Sequence, residues 1–239
     1  MGGLNLVKVG AVCAVAITVC FVVGIVFMTS SGVQVLIPDT GKDAIDWIND
    51  VNDASGLFFA GAWLVILGGM LGLVAFLGFY EVLRQASPLM ILGPILGAVG
   101  LVFVTISHGL PIAMGYELVP GYVGASDAAQ ESIRVTTDTL AATALVFNYI
   151  GDALVWAVVV PMYAWASLKL QAVPRWIGWL GLFTGFFAGV LGLLSPASSL
   201  IDGLTFVGFV GFFVWMAAMG VAILRRAPKA EKLTPVVAA

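Results

Sequence analysis

Long apolar runs, broken by short polar stretches, set the rhythm of this chain. Six of them, Leu6–Thr29, Ser55–Phe79, Pro88–Gly109, Leu140–Ala166, Pro174–Ser195 and Ile201–Leu224, are long enough to cross a bilayer as helices. At about 1.5 Å per residue, each covers a hydrocarbon layer of about 30 Å. The pattern predicts an all-α fold, a polytopic membrane helix bundle with six transmembrane helices over residues 1–225. The first run is too long for the apolar core of a signal peptide and no small-residue cleavage site follows it, so it reads as an anchor.

Two stretches between the runs carry patterns of their own. In "KDAIDWINDVNDAS", Ala44, Trp47, Ile48, Val51 and Ala54 recur at helical spacing, and Asp43, Asp46, Asp50 and Asp53 form a second stripe. A short helix near 43–54, lying at the outer interface or packed on the bundle with its acids in water, fits this pattern. Calcium ligation would need converging oxygens in a loop, which one helical stripe does not supply, so no metal site is expected. In "SDAAQESIRVTTD", Asp127 and Gln130 resemble a capping box that would start the fourth helix outside. The tail, residues 226–239, is basic and then featureless, and reads as a flexible cytoplasmic end able to touch anionic lipid.

Charge sets the expected orientation. Lys8, Arg84, Lys169, Arg175, Arg225, Arg226, Lys229 and Lys232 fall on one side of the six runs, and only Lys42 and Arg134 on the other. The positive-inside rule then places both termini in the cytoplasm and the chain in the plasma membrane. The acids, among them Asp39, Glu117, Asp127, Glu131, Asp138 and Asp202, gather on the opposite side.

Composition agrees with the pattern: 61% of residues are hydrophobic and 10% charged. A soluble domain carries about 25% charged residues, so the bilayer is the first expected partner. The net charge of -3 argues against nucleic acid. Cys13 and Cys20 stand about 10 Å apart along one helix, too far to be joined, and with a single histidine no cofactor is expected.

Glycine is the other marked residue type. The fifth run reads "GWLGLFTGFFAGVLG", with Gly178, Gly181, Gly185, Gly189 and Gly192 three or four apart. Such ridges let helices approach closely in lipid, and here they are expected to pack the chain against itself rather than against a second copy. The stretches "YEVLRQASPLMILGPILG" and "YAWASLKLQAVPRWIGWLG" share a tyrosine and a Q-A-x-P step into the next helix, which hints at a repeat.

"YEVLRQASP" and "VPRWIGWLGLFTGFFAGVLGLL" resemble the helix–turn–helix signatures of a family of bacterial multi-helix membrane proteins that carries a domain-of-unknown-function label. The resemblance covers the middle and late helices. It implies the architecture and no functional residue.

Candidate chemistry centres on "ALVFNYIGDALVW", where Asp152 interrupts an apolar run with Asn148 one turn before it. Charged groups inside a bilayer cost about 2.5–3.5 kcal/mol on the insertion scale and usually face the bundle interior. Residues four apart share a helix face, Trp156 extends that face, and Pro161 leaves the Ala157 carbonyl without its donor. Counted from the inner boundary, Asp152 stands about 21 Å up, Asn148 about 27 Å and His108 about 30 Å. The three would meet in the outer half if the third and fourth runs are neighbours.

Three uses of this cluster can be written. A neutral Asp152 could share hydrogen bonds with Asn148 and a hydroxyl on another helix, as burial favours the uncharged acid. Asp152 could instead serve a proton or a cationic ligand. An enzyme could use His108 as base with Asp152 as its partner, but no nucleophile or metal motif accompanies them. His108 alone reads as an interfacial residue closing its helix before Pro111, and Glu81 with Arg84 as a surface pair.

The expected function is non-enzymatic: binding or transport of a small molecule or proton, with an outward-opening polar pocket around Asp152. The alternative is a structural or accessory subunit for a membrane-protein partner.

Overall fold

A computed structural model describes residues 6–33, 37–38, 42–197 and 199–231 of the chain. Asp39 and Lys232, counted in the charge pattern above, and the last stretch of the tail, 232–239, lie outside the described residues. The helices are α1 (Leu6–Ser30), α2 (Lys42–Asp53), α3 (Ser55–Leu83), α4 (Leu92–Glu117), α5 (Val119–Tyr122), α6 (Asp127–Asp152), α7 (Val160–Leu170), α8 (Arg175–Thr184) and α9 (Ser199–Glu231). No strand occurs among the described residues. Six helical runs are long and apolar enough to cross a membrane, the longest being Asp127–Leu170 with 44 residues. The fold is all-α, and the chain is a multi-pass membrane protein.

The third run differs from its expected end. Pro111 lies inside α4, which continues to Glu117. The proline removes the N–H that the Ser107 carbonyl would accept from, a loss that a membrane helix tolerates when side chains or neighbouring helices re-satisfy the group. His108 therefore sits within the helix and does not close it. The start of α6 also differs in detail. The Gln130 Nε2 donates to the Tyr122 carbonyl at 3.2 Å, and the Gln130 backbone N–H to the Ser126 carbonyl at 2.9 Å. Gln130 thus ties the helix to the preceding turn and forms no reciprocal box with Asp127.

The described chain forms two compact units. The first comprises Val19–Met70 and Gly100–Gly151. Here α2 turns Trp47, Ile48 and Val51 onto a core of Val33, Phe58, Met114 and Val119, while Asp46 and Asp53 remain exposed. The Trp47 and Phe58 rings meet edge to face at 5.6 Å. Helices α1 and α3 touch through glycine: a Cβ on Gly24 would lie 2.8 Å from the Gly61 carbonyl oxygen.

The second unit comprises Met1–Thr18, Leu71–Val99 and Asp152–Ala239. Its interior is aromatic. The Tyr163 hydroxyl donates to the Phe76 carbonyl at 2.9 Å, and Phe79 packs edge-on against Tyr163 at 6.0 Å and Trp215 at 5.8 Å. The glycines of α8 and the turn after it set the closest approaches. A Cβ on Gly178 would strike Leu168, one on Gly181 Trp215 and Ala164, one on Gly185 Pro161, and one on Gly189 the backbone of Ala157, each under 3.0 Å. A Cβ on Gly192 would make only ordinary contact, 3.4 Å from Thr205.

Two π-helical segments lie in this same packing: Ala153–Val159, between α6 and α7, and Gly185–Val190, after α8. The Val160 N–H reaches the Val155 carbonyl and the Leu191 N–H the Phe186 carbonyl, each five residues back. Pro161 gives a cause for the first, since it supplies no N–H to an α-helical ladder. Their backbones meet at Gly189 and Ala157, where any side chain on residue 189 would hold them apart.

The two Q-A-x-P turns are built differently. Residues Arg84–Ala86 and Pro88–Ile91 are 3-10 turns, with the Ser87 hydroxyl accepting the Leu89 N–H at 3.2 Å. The other turn ends α7 at Gln171 with φ of 50°, a left-handed cap.

Candidate functional site

Small residues make α6 able to approach its neighbour. Thr137, Ala141, Ala144 and Gly151 are its buried positions, spaced four, three and seven apart, and Asn148 falls on the same seam. Across this seam stands α4. A Cβ on Gly151 would come within 2.6 Å of Val104 and 2.8 Å of the Gly100 carbonyl oxygen, so a larger residue would separate the helices. Phe103 and Phe147 stack at 5.7 Å beside the contact.

This close approach sets the polar pair. Ser107, fully buried, donates its hydroxyl to the Asn148 Oδ1 at 3.5 Å, a long hydrogen bond. Ser107 is also the residue whose carbonyl Pro111 leaves without its helical donor. The helices of the third and fourth runs are therefore neighbours, and Ser107 is an α4 side chain that reaches Asn148. His108 is half-buried and lies about 100° further round α4.

Asp152 is the last residue of α6, half-buried, one helical turn past Asn148. The π segment begins at the next residue. A π turn takes in an extra residue and is frequent at functional sites. Beyond it, Trp156 packs against Phe209 at 5.3 Å and Phe212 at 5.8 Å, within α9.

Three turns before Asn148 in α6, Thr137 is fully buried, and its hydroxyl has no hydrogen-bond partner among the described residues. The same holds for the Trp47 indole N–H. Thr137 lies between Ile133 and Leu140, both packed on the cluster that holds Trp47, so it faces the same core. Buried polar groups left without partners cost about 1–3 kcal/mol each unless water or a solute pairs them. Ser107 and Thr137 did not stand out in the sequence, and Trp47 stood out only as part of the apolar face of α2. The four-residue step from Ser107 to Pro111, and the three-and-four spacing of Thr137, Ala141, Ala144 and Asn148, were the signals available.

A shallow furrow of about 530 Å³ runs along another face of α6, lined by Asp138, Thr139, Ala142, Thr143 and Val146. One helix supplies every lining residue. Asp138 is tied to Arg134 at 2.8 Å, and the Thr139 and Thr143 hydroxyls donate to carbonyls one turn back at 2.9 and 2.8 Å. No cluster of three metal-ligating side chains occurs among the described residues.

These features define a multi-pass membrane bundle with a polar pair set into a small-residue seam. Residues 10–220 match the family described as Domain of unknown function (DUF4386), and the chain belongs to that family. The match extends beyond the middle and late helices on which the sequence resemblance stood. No curated protein and no solved structure matches the chain.

Proposed function

We propose that the protein binds a small polar solute or a proton in a pocket that opens outward along the α6 seam, and that Asp152 carries the exchangeable charge. The observation that carries this reading is the pair of buried Ser107 and half-buried Asn148, the latter one turn from Asp152 on the same helix. The unpartnered Thr137 hydroxyl and Trp47 indole support it, because they extend the polar line toward α2. A seam meant only for packing needs none of these groups, since alanine and glycine already bring α4 and α6 together. The eight-to-two division of basic residues supports an inner-membrane location with both termini cytoplasmic, and so an outward-facing seam.

A second reading, an accessory subunit for another membrane protein, is favoured by the open furrow over Asp138–Val146. Cysteine accessibility separates the two. In a background lacking Cys13 and Cys20, Asn148→Cys is expected to react with a membrane-impermeant maleimide added from outside, and Ile150→Cys, on an exposed apolar position, is expected not to. An inert Asn148→Cys beside a reactive Ser126→Cys control would contradict an outward pocket.

A further inference from the structure

The basic residues at the Arg84/Lys169 end of the second unit do not all have the same use. Lys169 donates to the Ala86 carbonyl at 2.7 Å and lies 5.0 Å over the Trp165 ring. Arg226 donates to the carbonyls of Gln171 and Ala172, closing the turn between α7 and α8. Arg84 pairs with Glu81 at 3.5 Å. Arg175 and Arg225 are exposed, and neither has a hydrogen bond or ion pair to another described residue.

Arg175 differs from Arg225 in its surroundings. It opens α8, and Trp176 and Trp179 follow at the next position and one turn on. Both indoles point away from the protein, 58% and 64% exposed. Trp179 stands four residues from Arg175 and three from Trp176, so the guanidinium and the two indoles fall within about 100° of one another around the helix, Trp179 between the other two. Exposed tryptophans of a membrane-spanning helix settle at the headgroup level, with ring carbons toward the chains and N–H toward water. That fixes Arg175 in the phosphate layer, where its fork can take two phosphate oxygens at once.

We infer that Arg175, Trp176 and Trp179 form a seat for the headgroup of an anionic phospholipid. The phosphate lies on the guanidinium, and the indoles bracket the glycerol and the first methylenes. Charge complementarity selects an anionic over a zwitterionic lipid, and the two indoles make the seat local to α8.

The full chain in vesicles containing brominated phosphatidylglycerol or brominated phosphatidylcholine tests this through tryptophan quenching. The quenched component lost in the Trp176→Phe, Trp179→Phe double variant reports the seat. It is expected to show about a fivefold preference for the anionic lipid, the effect of one basic residue near a charged surface. Arg175→Gln should abolish the preference, and Arg225→Gln should keep it, each variant melting as the parent does. Inorganic phosphate, against sulfate at equal ionic strength, should not displace the lipid. No preference in the parent, equal losses in both arginine variants, quenching untouched by the double variant, or displacement by phosphate would each overturn the assignment.

Discussion

The Ser107 hydroxyl and the Asn148 side chain join α4 to α6 across 3.5 Å, on a seam whose buried α6 positions are two alanines, one glycine and one threonine. Such bonds between membrane helices contribute about 0.6 kcal/mol on average, with a maximum near about 1.7. Ser107→Ala, Asn148→Ala and the double variant should close a thermodynamic cycle with a coupling of that size. Unfolding in mixed micelles measures it. Additive losses would mean that the pair holds nothing together.

Thr137→Val gives a prediction whose sign carries the meaning. If the buried hydroxyl is unpaired in the native protein, removing it stabilises the fold by about 1–3 kcal/mol. The proposed function has water or solute pairing that hydroxyl, so the melting temperature should fall. A rise would indicate a dry seam.

Gly189 and Phe186 lie in the same π segment with opposite surroundings. A Cβ on Gly189 would meet the backbone of Ala157, whereas Phe186 is half-exposed. Gly189→Leu should destabilise by about 1–3 kcal/mol or more, because neither backbone can retreat without breaking its own packing. Phe186→Leu should cost well under half of that. Thermal melts of the two variants side by side check the difference, and equal losses would contradict the close contact.

Six spans were legible because an apolar run of bilayer length has few alternatives. The face of α2 was legible too, in that Trp47, Ile48 and Val51 recur at helical spacing and lie buried together. The end of α4 was not. A proline reads as a helix stop in water, but an apolar helix in lipid has no better place for its backbone groups, so α4 passes Pro111 and carries His108 with it. The π segments were also hidden, since they depend on how Pro161 and the glycines meet across helices rather than on any local propensity. The same holds for Ser107. Its meeting with Asn148 depends on the register that the close approach of Gly151 to Val104 sets between α4 and α6.

Threading rests on charge alone and has a direct test. Reporter tags at either terminus and within 83–87 should report the cytoplasm, and tags within 39–53 the outside. A signal from outside at the carboxyl terminus would invert the orientation and turn the seam inward.

The central claim is that position 152 uses an ionisable group and not only a polar one. Asp152→Asn keeps the shape and most of the hydrogen bonding but removes the exchangeable proton. Proton uptake into reconstituted vesicles, driven by a potassium diffusion potential and followed with an internal pH dye, reads the consequence directly. The parent protein is expected to carry pH-dependent flux, and Asp152→Asn to melt within a few degrees of the parent while its flux falls to the level of empty vesicles. Undiminished flux in Asp152→Asn, no flux in the parent above empty vesicles, or a fold that collapses on this substitution would contradict the account.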